Sequence, residues 1–339
     1  MGAGMLQEAL RLLSKGQDLP DAVMEGAVEQ LTSGQGDPVQ AAGFLMGLRL
    51  KGETAEELAA AVRVLRRHMV VFDTGTRAVA DTCGTGGDGS NTFNISTAAA
   101  LVVAACGLPV VKHGNRAVSS SSGSADVLSY LGVRIEAPLA TWRTVLDAWG
   151  FAFCFAPHFH PGMRHVADVR RILGVRTVFN LLGPLLNPAR PVYQLLGVAG
   201  ESLQNLLADT IERVDFGDVA LVCGAHGLDE VSLAGPTRVL VRRQGRWHQE
   251  TWTPEGLGLP ELPTDAIRVH RVEQSAALME AVLRGQDGPS RYWVLANAGA
   301  TLWLAGRAES VREGIEQAAR VLDDGFAWHV LERIVRATQ

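Results

Sequence analysis

Between Asp81 and Asp126 the chain gathers the groups that hold a phosphate. Gly84, Gly86, Gly87 and Gly89 fall within six residues of one another, followed by Asn91-Thr92-Phe93-Asn94-Ile95-Ser96-Thr97, by Lys112-His113-Gly114-Asn115-Arg116 and by a serine run from Ser119 to Ser124 broken only at Gly123. Glycine lets backbone N–H groups approach an anion closely, and hydroxyls and cations add further donors. Further along, Asp229-Glu230 follows the apolar run 219–223. Two adjacent carboxylates suit magnesium, a hard ion that takes oxygen ligands and keeps several waters. Most such acid pairs are merely solvated, so the pair alone does not establish a metal.

Gly84-Thr-Gly-Gly-Asp-Gly89 also fits the GxGxxG pattern of dinucleotide sites. That pattern needs a helix opening inside it and an acid about 20 residues on. Here turn chemistry occupies 90–94, the helical period begins near Ser96, and no Asp or Glu occurs between Asp88 and Asp126. A Walker loop is absent, since no GK[ST] follows. Asn94, Ser96 and Thr97 precede the apolar helix 98–106, where they could cap it, face an anion at its positive end, or do both. Lys112 to Arg116 follow a strand-like run, the position of ligand loops in open parallel sheets. His158, His160 and His165 lack the cysteine or acid that would complete a zinc set.

These groups need elements to hold them. Up to about residue 70 the pattern is helical. Asp37-Pro38 pairs an N-cap with proline at the first helical position, and Thr54 with Glu57 forms a capping box ahead of Leu58, Ala61, Val62 and Leu65. From residue 78, short β-branched runs at 110–111, 192–198, 219–222, 239–241 and 292–295 alternate with helical periods such as 202–214 and 276–284. This predicts an α/β domain with a largely parallel sheet, made mixed by a hairpin at Gln244-Gly245. The stretch 310–337 returns to helix. The expected division is a small all-helical N-terminal domain, 1–72, and a larger α/β catalytic domain, 73–339.

The totals narrow the function classes. A chain of 339 residues is long enough for two domains, and a net charge of −5 favours neither nucleic acid nor an anionic membrane. Four separated cysteines with no CxxC pair argue against a disulfide framework and fit a cytoplasmic location. The first 13 residues lack a signal-peptide core, and the apolar run 95–111 is interrupted by Ser96, Thr97, Gly107 and Pro109.

Several motifs in order resemble the anthranilate phosphoribosyltransferase family: Cys83-Gly-Thr-Gly-Gly-Asp-Gly, Asn94-Ile-Ser-Thr, Lys112-His-Gly-Asn-Arg, Ser119 to Asp126, His160-Pro161, Val169-Arg170 to Arg176-Thr177, Phe179-Asn180 to Asn187-Pro188, and Gly227-Leu-Asp-Glu230. The match in order and spacing runs over nearly the whole chain. The resemblance implies a nucleoside phosphorylase/phosphoribosyltransferase-like fold, with 163–186 joining the helical domain in space, and a homodimer. It implies transfer of 5-phosphoribose from phosphoribosyl pyrophosphate to the amine of anthranilate, with Mg2+ as cofactor, in tryptophan biosynthesis. Around the sugar donor it sets Gly84, Gly87, Asp88, Thr92, Asn94, Ile95, Ser96 and Thr97, then Lys112, His113, Gly114, Asn115, Arg116, Ala117 and Val118, then Ser119, Ser120 and Ser124. It assigns anthranilate to Gly84, Asn115 and Arg170, the metal to Ser96, Asp229 and Glu230, and the main catalytic roles to Lys112, Asn115 and Arg170. Arginine's planar fork suits the carboxylate of anthranilate, although Arg164, Arg171 and Arg176 remain rivals by sequence. Cys223-Gly224 stands where family members often have histidine-glycine, and Gly162 replaces a common alanine. Two other classes share parts of the pattern. A pyrimidine nucleoside phosphorylase is opposed by Arg170 and the 180–188 segment, and a nucleic-acid-binding paralogue by the net charge and the Asp229-Glu230 pair.

Overall fold

A computed structural model of the chain describes residues 4–75, 77–117 and 122–339. They form two compact units, one comprising Met1–Val71, Ala156–Pro188 and Asn205–Phe216, the other Phe72–Phe155, Ala189–Gln204 and Gly217–Gln339.

The first unit is helical. Its N-terminal part holds helices Met5–Leu13, Asp21–Thr32, Pro38–Lys51 and Ala55–His68. The side chain of Asp37 accepts from the N–H groups of Val39 and Gln40, so the third helix starts where Asp37-Pro38 predicts. The Thr54–Glu57 capping box is present, and Glu57 does more than cap. Its buried carboxylate also accepts from Leu19 N–H at 2.8 Å and from Lys51 Nζ at 2.9 Å. Three donors on one buried acid satisfy it, and they lock the first and third loops to the fourth helix. From the same helix, Arg66 donates to the carbonyl of Leu185 at 2.8 Å, which fastens the 156–188 segment to the bundle although it is far away in sequence.

The second unit is built on a seven-stranded sheet: β1 (Ala80–Gly84), β2 (Val110–Gly114), β3 (Phe151–Phe155), β4 (Tyr193–Gly197), β5 (Asp218–Cys223), β6 (Thr237–Arg243) and β7 (Arg246–Trp252). The order is β3-β2-β1-β4-β5-β6-β7. The first five strands are parallel, and β6 and β7 are antiparallel, so the sheet is mixed as predicted. The predicted hairpin turns at Gln244 (φ 50°) and Gly245 (φ 75°), two left-handed residues whose twist matches that of paired strands. Helices Ile95–Ala105 and Pro289–Leu304 pack on each other and are buried almost all round, which explains their lack of a polar face.

The element order departs from the expected one in two places, while 310–337 is helical as expected. The run 292–295 lies inside helix Pro289–Leu304 rather than in a strand, because a short apolar run reads alike in both when each is fully buried. Strands β1 and β3 were not anticipated. The 310–337 stretch is two helices, Val311–Asp323 and Phe326–Thr338, parted at Gly325, whose φ of 67° breaks the helical backbone. From β1 the chain goes to β2 on one side and later returns through β4 on the other. That reversal opens a crevice at the carboxyl ends of β1 and β4, where open α/β sheets bind ligands.

Candidate active site

A cavity of about 260 Å³ lies at those strand ends, entirely within the second unit. Its walls come from three strand ends and the segments that follow them: β1 (Gly84, Gly87, Asp88 and Thr92 through Thr97), β2 (Lys112 to Asn115, then Ser122 and Ser124), and β5 (the Asp229-Glu230 pair). Most residues expected around the sugar donor therefore line one space. Two do not. Arg116 turns away to Asp126, at 3.2 Å, and to the face of Phe155, while Ala117 N–H donates to Asp126. Val118, Ser119 and Ser120 lie outside the described residues.

Glycine makes room for the acids. A Cβ on Gly84 would stand 2.3 Å from Asp229 Oδ2, and one on Gly197 1.6 Å from the Asp229 carbonyl, so only glycine at the ends of β1 and β4 lets the acid loop sit against the sheet. The glycine loop is then partly committed within the protein: Gly86 N–H donates to Asp229 Oδ2 at 2.7 Å rather than standing open for an anion. The acid loop is held from behind by Asn297 of helix Pro289–Leu304. This buried amide accepts from Val231 N–H at 3.0 Å and lies in no motif of the sequence.

Helix Ile95–Ala105 points its positive end into the cavity. Its N-cap residue Asn94 makes no side-chain capping bond, contrary to one of the roles expected of it. Instead Glu230 Oε1 accepts from Ser96 N–H at 3.2 Å, so an acid from a distant loop meets the helix terminus. Thr97 is 1% exposed, and its hydroxyl has no hydrogen-bond partner among the described residues. A buried hydroxyl without a protein partner calls for one, which a water or a ligand can supply. Lys112, 2% exposed, donates to the Thr82 carbonyl at 2.5 Å and the Ser96 hydroxyl at 3.4 Å. Two of its three donors are thus used, leaving one for the cavity.

Negative charge is concentrated opposite. Asp229 and Glu230 are closely surrounded by protein, and Asp88 Oδ2 accepts from Asp229 N–H at 3.4 Å. Burial first, then the Asp88 carboxylate, holds Asp229 well above the ordinary carboxylate range. Burial and Asp229 do the same to Glu230, opposed by Lys112. Crowded hard oxygens of this kind call for a cation. Among the described residues no three His, Cys, Asp or Glu side chains converge as a dense metal cage. Two carboxylates that line the same cavity as Ser96 instead match the sparse protein ligation of magnesium.

Arg170 belongs to the helical unit, on helix Arg164–Leu173. It is half-buried over the Phe179 ring, at 5.7 Å, and makes no ion pair among the described residues. Burial lowers its pKa. Asp168, the expected alternative partner, pairs with Arg171 at 3.0 Å. Arg164 is exposed beside His165. Of these three arginines Arg170 is the one held half-buried without an acid. Gly162 also finds a local reason: a Cβ there would meet the Thr32 carbonyl at 2.8 Å.

Residues 76–328 match the α/β domain of a glycosyl transferase family, and 7–69 match its helical bundle domain. Anthranilate phosphoribosyltransferase of Thermomicrobium roseum is 48% identical over 97% of this chain and 96% of its own length. That of Symbiobacterium thermophilum is 44% identical over the same shares. The chain belongs to the anthranilate phosphoribosyltransferase family. Solved structures of anthranilate phosphoribosyltransferases agree. The Thermus thermophilus protein superposes with a TM-score of 0.90 at 42% identity, covering 97% of this chain and 99% of that one. The Saccharomyces cerevisiae protein in complex with PRPP and Mg gives 0.89 at 29% identity, covering 98% and 97%.

Proposed function

We infer that this chain transfers 5-phosphoribose from phosphoribosyl pyrophosphate to the amine of anthranilate, releasing pyrophosphate. The observation that carries this is the cavity at the ends of β1, β2 and β5, in which a helix N-terminus, the unpartnered Thr97 hydroxyl and Lys112 face the Asp229-Glu230 pair. Full-length relatives of the same family act in the same sense by name. The yeast protein's complexes with PRPP and Mg and with 4-fluoroanthranilate support both substrate classes.

In the reaction the bond from ribose C1 to the pyrophosphate oxygen breaks as the bond to the anthranilate nitrogen forms. Negative charge gathers on the leaving group, and the nitrogen gives up a proton to solvent or to the departing pyrophosphate. The protein's part is to hold both partners and to meet that charge with fixed donors. Lys112, the Thr97 hydroxyl and the N–H groups opening helix Ile95–Ala105 meet the phosphate oxygens. Asn115 and Gly84 border the acceptor. Arg170 takes the anthranilate carboxylate in its guanidinium fork, a contact a nucleoside phosphorylase would not need. Asp229, Glu230 and the Ser96 hydroxyl would hold Mg2+, which when bound offsets the charge of the diphosphate. Domain roles follow: the second unit binds the sugar donor, and the helical unit, which includes Ala156–Pro188 and Asn205–Phe216 and not only 1–72 with 163–186, carries Arg170.

A homodimer through the helical unit belongs to the same proposal. Val39 and Leu50 of helix Pro38–Lys51 are 80% and 81% exposed, apolar side chains suited to a second copy, and sedimentation should give twice the chain mass. A cytoplasmic setting is supported by four free thiols, and no helix among the described residues is long and apolar enough to cross a membrane. The test of activity is the decay of anthranilate fluorescence with phosphoribosyl pyrophosphate and magnesium. Folded protein that leaves the fluorescence at blank level overturns the assignment.

A further inference from the structure

We propose that Ser275 is a positioning residue for the sugar-donor site, acting through Asn94 on the loop that follows β2. Ser275 lies in the first turns of helix Val272–Leu283, outside every motif, and is fully buried. Its hydroxyl accepts from the backbone N–H of Asn94 at 3.0 Å and donates to Asn94 Oδ1 at 2.7 Å, a closed pair of bonds across 181 residues of sequence. The same Asn94 Oδ1 accepts from the Ser122 hydroxyl at 2.7 Å, and Asn94 Nδ2 donates to the Ser122 carbonyl at 3.2 Å. An amide oxygen has two lone pairs and an amide nitrogen two protons. Both lone pairs of Asn94 and one of its protons are therefore spent inside the protein, leaving a single N–H for a ligand.

Asn94 thus acts first as a clamp. It joins the start of helix Ile95–Ala105 to Ser122, and Ser275 fixes the clamp from the core. Ser122 and Ser124 both border the cavity, so the geometry of that wall depends on a hydroxyl that does not line it. A fully buried hydroxyl satisfied in both directions holds its partner in one rotamer, because any other leaves buried polar groups unpaired.

The inference rests on the transferase reading, and its test separates the two. Unaltered protein is first assayed for anthranilate consumption and, by calorimetry, for phosphoribosyl pyrophosphate binding with magnesium. Failure there counts against the reading and not against Ser275. Ser275→Ala removes both bonds to Asn94 and is then expected to raise the KM and Kd for phosphoribosyl pyrophosphate about three- to tenfold. The KM for anthranilate should stay within twofold. In an Asn94→Ala background, Ser275→Ala should add less than twofold, since the relay is already cut. Ser122→Ala removes the hydroxyl half of the same relay from the loop side and should reproduce the split in weaker form, which keeps the test open if Ser275→Ala does not fold. A lowered melting temperature with both KM values unchanged, equal rises in the two KM values, or full additivity with Asn94→Ala would overturn the proposal.

Discussion

Single residues carry the clearest chemistry. Arg170 is half-buried and pairs with no acid among the described residues, which is why it is proposed to take the carboxylate of anthranilate. Arg170→Ala should raise the KM for anthranilate at least tenfold and that for phosphoribosyl pyrophosphate by under threefold. Steady-state kinetics with each substrate varied in turn reads the difference, and equal rises would remove the carboxylate assignment. Thr97 allows a sharper separation of stability from binding. Its hydroxyl is buried without a partner among the described residues, so Thr97→Val should leave the melting temperature unchanged or higher while weakening phosphoribosyl pyrophosphate binding about three- to tenfold. A large loss of stability would mean that the hydroxyl serves the fold. The motif positions were legible because phosphate and carboxylate chemistry restrict residue type locally. Asn297 and Ser275 were not, because each acts on a partner far away in sequence and an ordinary Asn or Ser on a helix gives no local sign of it.

Elements set these residues in place, and close backbone approach is the device. β4 ends at Gly197, where any side chain would collide with the backbone of Asp229. Gly197→Ala is expected to destabilise the protein by on the order of 3 kcal/mol and to weaken magnesium dependence together with stability, measurable by denaturant titration and by activity against metal concentration. A variant as stable as the parent would show that the acid loop moves freely. The Thr237–Arg243 and Arg246–Trp252 hairpin could be read in advance because Gln244-Gly245 supplies a two-residue turn between β-rich runs. β1 could not, since its Asp-Thr-Cys-Gly ending looks like loop chemistry yet is buried at its start between two parallel neighbours. β3 is five residues of aromatic and small side chains directly after the left-handed Gly150, too short for a period to show. The same physics that hides a fully buried strand made 292–295 resemble one.

At the scale of the whole molecule, stability should depend on pH through His160. Burial lowers its pKa from 6.5 to about 4, with a hydrogen bond to the Leu186 backbone opposing the shift. Between those values the unfolded chain binds the proton and the folded one does not, so stability is complete above about pH 6.5 and falls as the pH drops towards 4. Comparing urea midpoints of the parent and His160→Gln at pH 7 and pH 4.5 should show the parent losing more, by up to about 2 kcal/mol. An equal loss in both would exclude His160 as the cause. The central claim is that one cavity at the strand ends grips the diphosphate while Asp229 and Glu230 hold its divalent ion. A crystal structure with phosphoribosyl pyrophosphate and manganese, read by anomalous scattering, tests it most directly. The account predicts a metal peak bound by Asp229 or Glu230 and diphosphate density against Thr97 and Lys112. A metal peak or diphosphate found away from those residues would contradict it.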